Sequence, residues 1–333
     1  MNLASNTAVI IVLFVTFLWG SWFQAVKHTG NYPIAGFISW MYAFSVIIVG
    51  ISVVFLQDSM IPNGFIEEVS QNIPLSVFLL ACGVVFAAAM QMHLAVVGRI
   101  GLILSTSVSA TCCILCGTLV SSFFGGIPEG ASFASIFLAS LLLVLATVIC
   151  QYAGVRRDRE IKKCEEEVKG SRGYDIVLLI FINAVLMSSY PLATSVGIQS
   201  PLNPEGMSSL TCMGLLAAGA FVGAQIFMVI EVRRKKQKEA FRRPDKGYGK
   251  ILLMAFIAAC CHFGGNVLHA AAVPVISAAI ATAMGNSYHV WSYIWGIFYG
   301  EFKGASLKTY LLLGGGVLLF IMGVLILSFN ITL

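Results

Sequence analysis

Long apolar segments separated by short polar stretches dominate the chain. We identify ten of them, at residues 7–27, 33–56, 74–97, 101–123, 131–155, 174–197, 207–231, 251–271, 275–298 and 309–330. The hydrocarbon layer of a membrane is about 30 Å thick, and a helix of about 20 residues crosses it. The segments are apolar on all sides and do not alternate every second residue, which favours helices over barrel strands. The pattern therefore predicts an all-α, polytopic membrane protein with ten transmembrane helices.

The basic residues predict how these helices are oriented. All 20 Lys and Arg residues lie at the end of segment 1, where Lys27 closes it, or in the loops after segments 3, 5, 7 and 9. Cytoplasmic loops of membrane proteins are enriched in Lys and Arg. We therefore predict that the loops after segments 1, 3, 5, 7 and 9 are cytoplasmic, that both termini are extracytoplasmic, and that the protein lies in the plasma or inner membrane. Segment 1 has no basic stretch before it and no evident cleavage site, so we interpret it as a mature helix rather than a signal peptide.

Composition narrows the class of protein further. Hydrophobic residues make up 58% of the chain and charged residues 11%, whereas an ordinary soluble domain has about 25% charged residues. The net charge of +5 comes from the orienting loops, so we expect no nucleic-acid partner. We find no nucleotide-binding glycine loop and no zinc signature. The sequence therefore predicts no enzyme activity, no cofactor and no bound metal, and most of the nine Cys residues are interpreted as core packing groups.

An internal repeat is indicated by matches between the two halves at an offset of about 173 residues. At that offset His93 aligns with Asn266, and the phrase Glu-Gly-Ala-Ser at 129–132 aligns loosely with Glu-x-x-Gly-Ala-Ser at 301–306. Because each half has five helices, the second half would be inserted upside down. We predict a first repeat at 1–155, a helical cytoplasmic linker at 156–173 and a second, inverted repeat at 174–333.

Polar side chains inside the predicted helices mark candidate binding positions, because polar groups are costly in a bilayer. Aromatic rings with neutral amides and hydroxyls suit an uncharged polar solute such as a sugar, a nucleobase or a ureide. Packing at the membrane interface is the alternative role for the Trp residues. The predicted substrate-binding residues are Trp19, Trp22, Gln24, Gln91, Ser107, Tyr190, Asn266, Asn286 and Tyr293.

Histidine is the only titratable candidate deep in the predicted membrane, because no carboxylate lies deep in any segment. His262 and His289 lie nearest mid-depth, and we predict that they carry the proton if transport is proton-driven. His93 and His269 lie near the segment ends, and we interpret them as structural groups.

Together these features resemble the drug/metabolite transporter superfamily. The resemblance rests on ten helices, the inverted repeat, the Trp-Gly-Ser-Trp run at 19–22 and the Glu-x-x-Gly-Ala-Ser run at 301–306. Within the superfamily, the chain most resembles the branch that holds rhamnose–proton symporters, glucose-uptake proteins and ureide permeases. Members of that branch tend to have a Lys at the end of helix 1, as Lys27 is here. The resemblance covers the whole length. It implies a substrate cavity at the midplane, lined mainly by helices 1, 3, 4, 6, 8 and 9.

The sequence thus predicts a secondary transporter that moves a neutral polar metabolite, with a monosaccharide as the first candidate, by alternating access. A nucleoside or ureide carrier, or a metabolite exporter, is the alternative within transport, and a non-transporting receptor or scaffold is the alternative outside it. Proton coupling, sodium coupling and facilitated diffusion stay open, as do the monomeric and homodimeric states. Membrane lipid is an expected partner. Two interpretations of the basic stretch 233–250 stay open: it only orients the protein in the membrane, or it also attracts anionic lipid.

Overall fold

The computed structural model describes residues 4–100, 114–129, 131–162 and 173–329. That part of the chain is all-helical, with 84% helix and no strand. Helix satisfies every backbone N–H and C=O within one segment, which is why segments that are apolar on all sides fold this way. The prediction of an all-α fold is confirmed.

The helices are labelled here in chain order, and two of the spans continue as 3₁₀ helices. They are α1 (Ser5–Ser21), α2 (Ile34–Met60), α3 (Phe65–Gln71), α4 (Ile73–Ile100), α5 (Ile114–Phe124), α6 (Phe133–Lys162), α7 (Gly173–Met187), α8 (Ser189–Gly197), α9 (Ser209–Arg234), α10 (Lys238–Arg242), α11 (Tyr248–Ile276), α12 (Ala278–Gly285), α13 (His289–Phe298) and α14 (Leu307–Phe329), with 3₁₀ helices at Trp22–His28 and Asn286–Tyr288.

Seven of these helices are long and apolar enough to cross a membrane within the described residues. They correspond to predicted segments 1, 2, 3, 5, 7, 8 and 10, so the chain has the architecture of a multi-pass membrane protein. The other three predicted segments do not form one long helix each in this part of the chain. Segment 4 corresponds to α5 from residue 114 onward, segment 6 is divided into α7 and α8, and segment 9 is divided into α12 and α13.

The boundary between α11 and α12 lies at residues that disfavour a continuous helix. Ser277 separates α11 from α12 and has a φ of 70°, a left-handed backbone conformation that non-glycine residues rarely adopt. Its hydroxyl accepts a hydrogen bond from the backbone N–H of Ile280 and caps α12. Pro274 lies in the last turn of α11, where it cannot donate a helical hydrogen bond. The helix therefore ends at Ile276, and α12 starts anew at Ala278.

Glycines allow a close helix contact between α4 and α9. A Cβ on Gly219 would lie 2.0 Å from the carbonyl oxygen of Leu80, and one on Gly83 would lie 2.3 Å from the carbonyl oxygen of Leu216. These distances are far below van der Waals contact, so the two backbones touch without side chains between them. This small-residue packing is typical of helices in membranes.

The pair α6 and α14 packs along one side of the bundle. Gly316 of α14 lies against Cys150 of α6, and Gly323 lies against Leu143. At its end, α6 continues as helix through Lys162, so the described beginning of the predicted 156–173 linker is helical. Neither α6 nor α14 contributes to the central cavity described below.

Candidate functional site

A cavity of about 80 Å³ lies at the centre of the bundle. It is bounded by the 3₁₀ helix after α1, by α4, α5 and α11, and by the helix breaks at residues 188 and 286–288. Its lining residues are Trp19, Trp22, Phe23, Phe86, Met90, His93, Gly117, Met187, Ser188, Tyr190, Pro191, His262, Asn266, His269, Thr282, Asn286, Tyr288 and His289. Among these described residues there is no Asp, Glu, Lys or Arg.

Interrupted helices meet at this cavity. The α-helical part of the first span changes to 3₁₀ at Trp22, α7 and α8 break at Ser188, and α12 and α13 break at Asn286–Tyr288. Such breaks expose backbone groups, which a membrane tolerates only where they are buried in protein or face a polar cavity. Discontinuous helices at mid-depth are typical of substrate sites in secondary transporters.

Trp19 is held in a slot between two glycines. A Cβ on Gly265 of α11 would lie 2.7 Å from the Trp19 Nε1, and one on Gly285 of α12 would lie 2.8 Å from the Trp19 Cζ3. The indole N–H donates to the backbone carbonyl of His262 over 3.2 Å. Because this donor is already used, Trp19 offers the cavity its ring rather than a hydrogen bond.

The His262 side chain is enclosed by aromatic rings. Trp22 contacts it edge-on, with ring centroids 5.2 Å apart, and Phe86 stacks on it at 5.8 Å. His262 is 3% exposed, and its Nδ1 has no hydrogen-bond partner among the described residues. A buried polar atom without a partner costs about 1–3 kcal/mol, so this nitrogen is available to a bound solute or water.

His269 is already satisfied on one side. Its Nδ1 lies 3.0 Å from the hydroxyl of Tyr190, which joins α11 to α8. The ring also packs on Trp19, with centroids 5.1 Å apart. Tyr190 and His269 therefore act together as a fixed wall of the cavity.

Two amides contribute donors and acceptors to the same space. Asn266, one turn after His262, is 2% exposed, and its Nδ2 has no partner in the described part of the chain. Asn286 lies at the break between α12 and α13. A Cβ on Gly117 would lie 3.3 Å from the Asn286 Nδ2, so the glycine of α5 makes room for this amide.

Most of the predicted site residues lie together in this cavity. They are Trp19, Trp22, Tyr190, Asn266, Asn286, His262 and His289. Ser107 lies outside the described residues.

Three predicted residues do not line the cavity. Gln24 lies in the 3₁₀ helix, where Trp22 and Ala25 are the buried residues; its Oε1 is enclosed without a hydrogen-bond partner in the described part of the chain, outside the cavity lining. Gln91 is buried on α4 outside the cavity lining. Tyr293 packs against the hydrophobic core from α13.

The cavity also contains residues that the sequence interpretation assigned elsewhere. His93 and His269 line it, although their positions near segment ends indicated a structural role. Phe86 stacks on His262 but lies in an unbroken apolar run that gives no signal of its position. The repeat offset aligns His93 with Asn266, and both residues line the cavity. This alignment was the one indication in the sequence that His93 belongs to the site.

At the end of the bundle that bears the Lys and Arg residues, an ion-pair cluster connects three helical segments. Glu301, after α13, accepts from Lys27 at 2.8 Å and from Arg157 of α6 at 3.1 Å. Burial raises the pKa of Glu301, but hydrogen bonds and charge from Lys27 and Arg157 outweigh this and hold the pKa below its usual value. The carboxylate is therefore ionised at neutral pH.

At the end of the cavity away from the Glu301 ion-pair cluster, the contacts between helices are made by uncharged side chains. The Ser121 hydroxyl of α5 donates to the Thr282 hydroxyl of α12 over 3.0 Å. A Cβ on Gly125 would lie 2.9 Å from the Cβ of Ala278 and 3.1 Å from the Ser195 hydroxyl. Small side chains therefore bring α5, α8 and α12 together at this end.

Comparison with known proteins informs the fold. No protein-family model and no curated protein matches the chain. One solved crystal structure is similar over 98% of this chain and 99% of that chain, with a TM-score of 0.64 and 12% sequence identity. At this identity the similarity extends to architecture alone. Fold and site together define a multi-pass helical membrane protein with an uncharged central cavity.

Proposed function

We propose that the protein is a secondary transporter that moves a neutral polar metabolite by alternating access. The observation that carries this proposal is an uncharged cavity, lined by aromatic rings and amides, at which three helical spans are interrupted. A receptor or scaffold would gain nothing from buried polar atoms without partners, such as the His262 Nδ1 and the Asn266 Nδ2. A carrier uses such atoms to replace the hydration of its solute.

The same proposal includes ten transmembrane helices in an inverted five-plus-five repeat, as in the drug/metabolite transporter superfamily. Both predicted halves contribute to the cavity: α1, α4 and α5 from the first, and α8, α11 and α12 from the second. His93 and Asn266, which the repeat offset aligns, both line it. This supports a repeat because duplicated halves place equivalent positions around one central site.

A monosaccharide is the first candidate solute. Its ring faces would pack on Trp19 and Trp22, and its hydroxyls would bond to Asn266, Asn286 and His262. The present cavity of about 80 Å³ holds about five to eight waters at roughly 10–15 Å³ each, fewer atoms than a hexose has. A hexose therefore requires the cavity to widen, and so does a nucleoside or a ureide of similar size. A nucleoside or ureide is the second candidate.

Uptake into proteoliposomes tests the proposal, with a panel of labelled sugars, nucleosides and ureides. We expect one class to be taken up, and Asn286→Ala to weaken its binding about 5- to 150-fold, because one lost buried hydrogen bond costs about 1–3 kcal/mol. Asn63→Ala, at an exposed loop position, is the matched control and should behave as wild type. If no solute is taken up, or if Asn286→Ala transports normally, the proposed transport through this cavity is wrong.

Coupling to protons is proposed to use His262 and His289, since no carboxylate lies among the described lining residues. Facilitated diffusion and sodium binding to amide and hydroxyl oxygens are the alternatives. Solute-induced alkalinisation should be present in wild type and in the His28→Gln control, which changes an exposed residue at the end of the 3₁₀ helix. It should be lost in the His262→Gln, His289→Gln double variant. Accumulation against a gradient by the double variant would assign these residues a structural role.

A further inference from the structure

Nine of the 20 Lys and Arg residues lie between residues 233 and 250, around α10. All nine are exposed. We call this surface the basic platform; it comprises Arg233, Arg234, Lys235, Lys236, Lys238, Arg242, Arg243, Lys246 and Lys250.

The basic platform is packed against the bundle by an aromatic anchor. Phe241 of α10 stacks on Tyr32, with ring centroids 5.6 Å apart. A Cβ on Gly36 of α2 would lie 2.8 Å from the Phe241 ring, so glycine makes room for it. The Tyr248 hydroxyl at the start of α11 donates to the Phe241 carbonyl. These contacts fix α10 next to the first turn of α2.

A polar contact holds the same loop from its other side. The Asp245 carboxylate accepts from the backbone N–H of Asn31 over 3.2 Å, and the Asp245 N–H donates to the Asn31 Oδ1 over 3.3 Å. Asp245 is therefore directed at the 30–31 turn, away from the neighbouring cations. The backbone around α10 is therefore docked on the bundle by contacts on both sides.

Most of these cations have no acidic partner. Glu231 pairs with Arg234 and Lys235, which leaves the other seven without an ion pair in the part of the chain that the structure describes. By contrast, Lys27 and Arg157 at the same end of the bundle both pair with Glu301. Positive charge that only orients a helix needs neither a docked loop nor unpaired cations.

The platform lies where lipid headgroups lie. Arg233 is in the last turn of one membrane-crossing helix, and Lys250 is in the first turn of the next. We propose that the basic platform binds the anionic headgroups of the membrane leaflet it faces. Unpaired cations within a Debye length of about 8 Å from such headgroups are attracted to them. The inference does not depend on transport or on the identity of the solute.

Lipid binding to the full chain tests this proposal. The purified protein in detergent is titrated with phosphatidylglycerol or with phosphatidylcholine, and the lipids retained are counted by native mass spectrometry. Wild type should retain phosphatidylglycerol in preference. In a triple variant that removes three platform cations, the preference should fall about tenfold or more, given the attraction of each cation near an anionic surface. That variant is Lys238→Gln, Arg242→Gln, Lys246→Gln.

A matched triple variant removes the same charge from exposed cations elsewhere at this end of the bundle. That variant is Arg159→Gln, Lys303→Gln, Lys308→Gln. It should keep the wild-type preference, and all three proteins should unfold at the same temperature in phosphatidylcholine. Equal loss in both triple variants would mean that net charge alone attracts the lipid, and an unchanged platform variant would mean that the platform binds none; either result overturns the proposal.

Discussion

The slot that holds Trp19 makes a strong prediction about Gly265. In Gly265→Ala, the new Cβ would lie 2.7 Å from the Trp19 Nε1, against 3.4 Å for ordinary contact. The indole would have to move by about 0.7 Å. It has little freedom to do so, because its far edge already lies against Gly285 and because Trp19 is buried.

Two unfavourable contributions and one favourable contribution set the change in the free energy of unfolding of Gly265→Ala. Overpacking of a buried site costs about 1–3 kcal/mol, and the hydrogen bond from Trp19 to the His262 carbonyl contributes about 0.5–1.5 kcal/mol. Alanine is favoured over glycine in a helix by about 1 kcal/mol, which offsets part of the loss. We expect a net destabilisation of about 1–3 kcal/mol, together with weaker solute binding because the cavity wall moves.

Gly264 provides a control one residue away on the same helix. A Cβ at that position meets nothing within 4 Å, so Gly264→Ala should be neutral or stabilising by about 0.5–1 kcal/mol. Thermal unfolding followed by thiol reactivity suits this comparison, because Cys82, Cys150 and Cys212 are buried in the folded chain. Gly265→Ala should unfold about 2–6 °C below wild type, and Gly264→Ala should not.

The reasoning fails if Gly265→Ala and Gly264→Ala unfold at the same temperature and bind solute equally well. That result would mean that Trp19 moves freely, so that the slot does not fix the cavity wall.

Three further predictions concern the ends of the bundle. Glu301→Gln should lower stability by less than about 1 kcal/mol per ion pair, since Lys27 and Glu301 are partly exposed; because the Glu301 pKa is lowered, the difference from wild type should be complete at neutral pH and be lost as the pH falls through that lowered pKa. In a cysteine-free background, an impermeant maleimide added outside cells should label Cys at Asn63 and not at Gln237, and reversed labelling would overturn the orientation. Phe241→Ala should make the α10 loop more sensitive to protease while the membrane helices stay folded, as limited proteolysis would show.

The sequence predicted the fold well where apolar segments are uninterrupted. Seven long helices match predicted segments, because lipid leaves an apolar run of 20 or more residues few alternatives to helix. The breaks were harder to predict. Ser188, between α7 and α8, and residues 286–288, between α12 and α13, include no proline and gave no local signal of a break. The ten-helix repeat remains a prediction.

The site was predicted where polar or aromatic side chains stand out in an apolar helix. Asn266, Asn286 and Trp19 were recognisable for that reason. Gln24 and Tyr293 lie outside the cavity lining, and a role for them in binding stays a prediction; each lies in or after a 3₁₀ turn, which changes the register from 3.6 to 3.0 residues per turn. Ring contacts between distant apolar residues, such as Phe86, have no sequence signal at all.

The glycine contact between α4 and α9 limits how this protein can move. With the Gly219 Cα against the Leu80 backbone, no side chain lies between the two backbones, so the helices cannot approach more closely at this point. Since α4 and α9 belong to different predicted halves, any movement of one half against the other would have to keep this contact as its pivot or open it. We therefore expect the shorter pieces at the cavity, the 3₁₀ helix after α1 and the segments α7–α8 and α12–α13, to move more easily than α4 and α9 do.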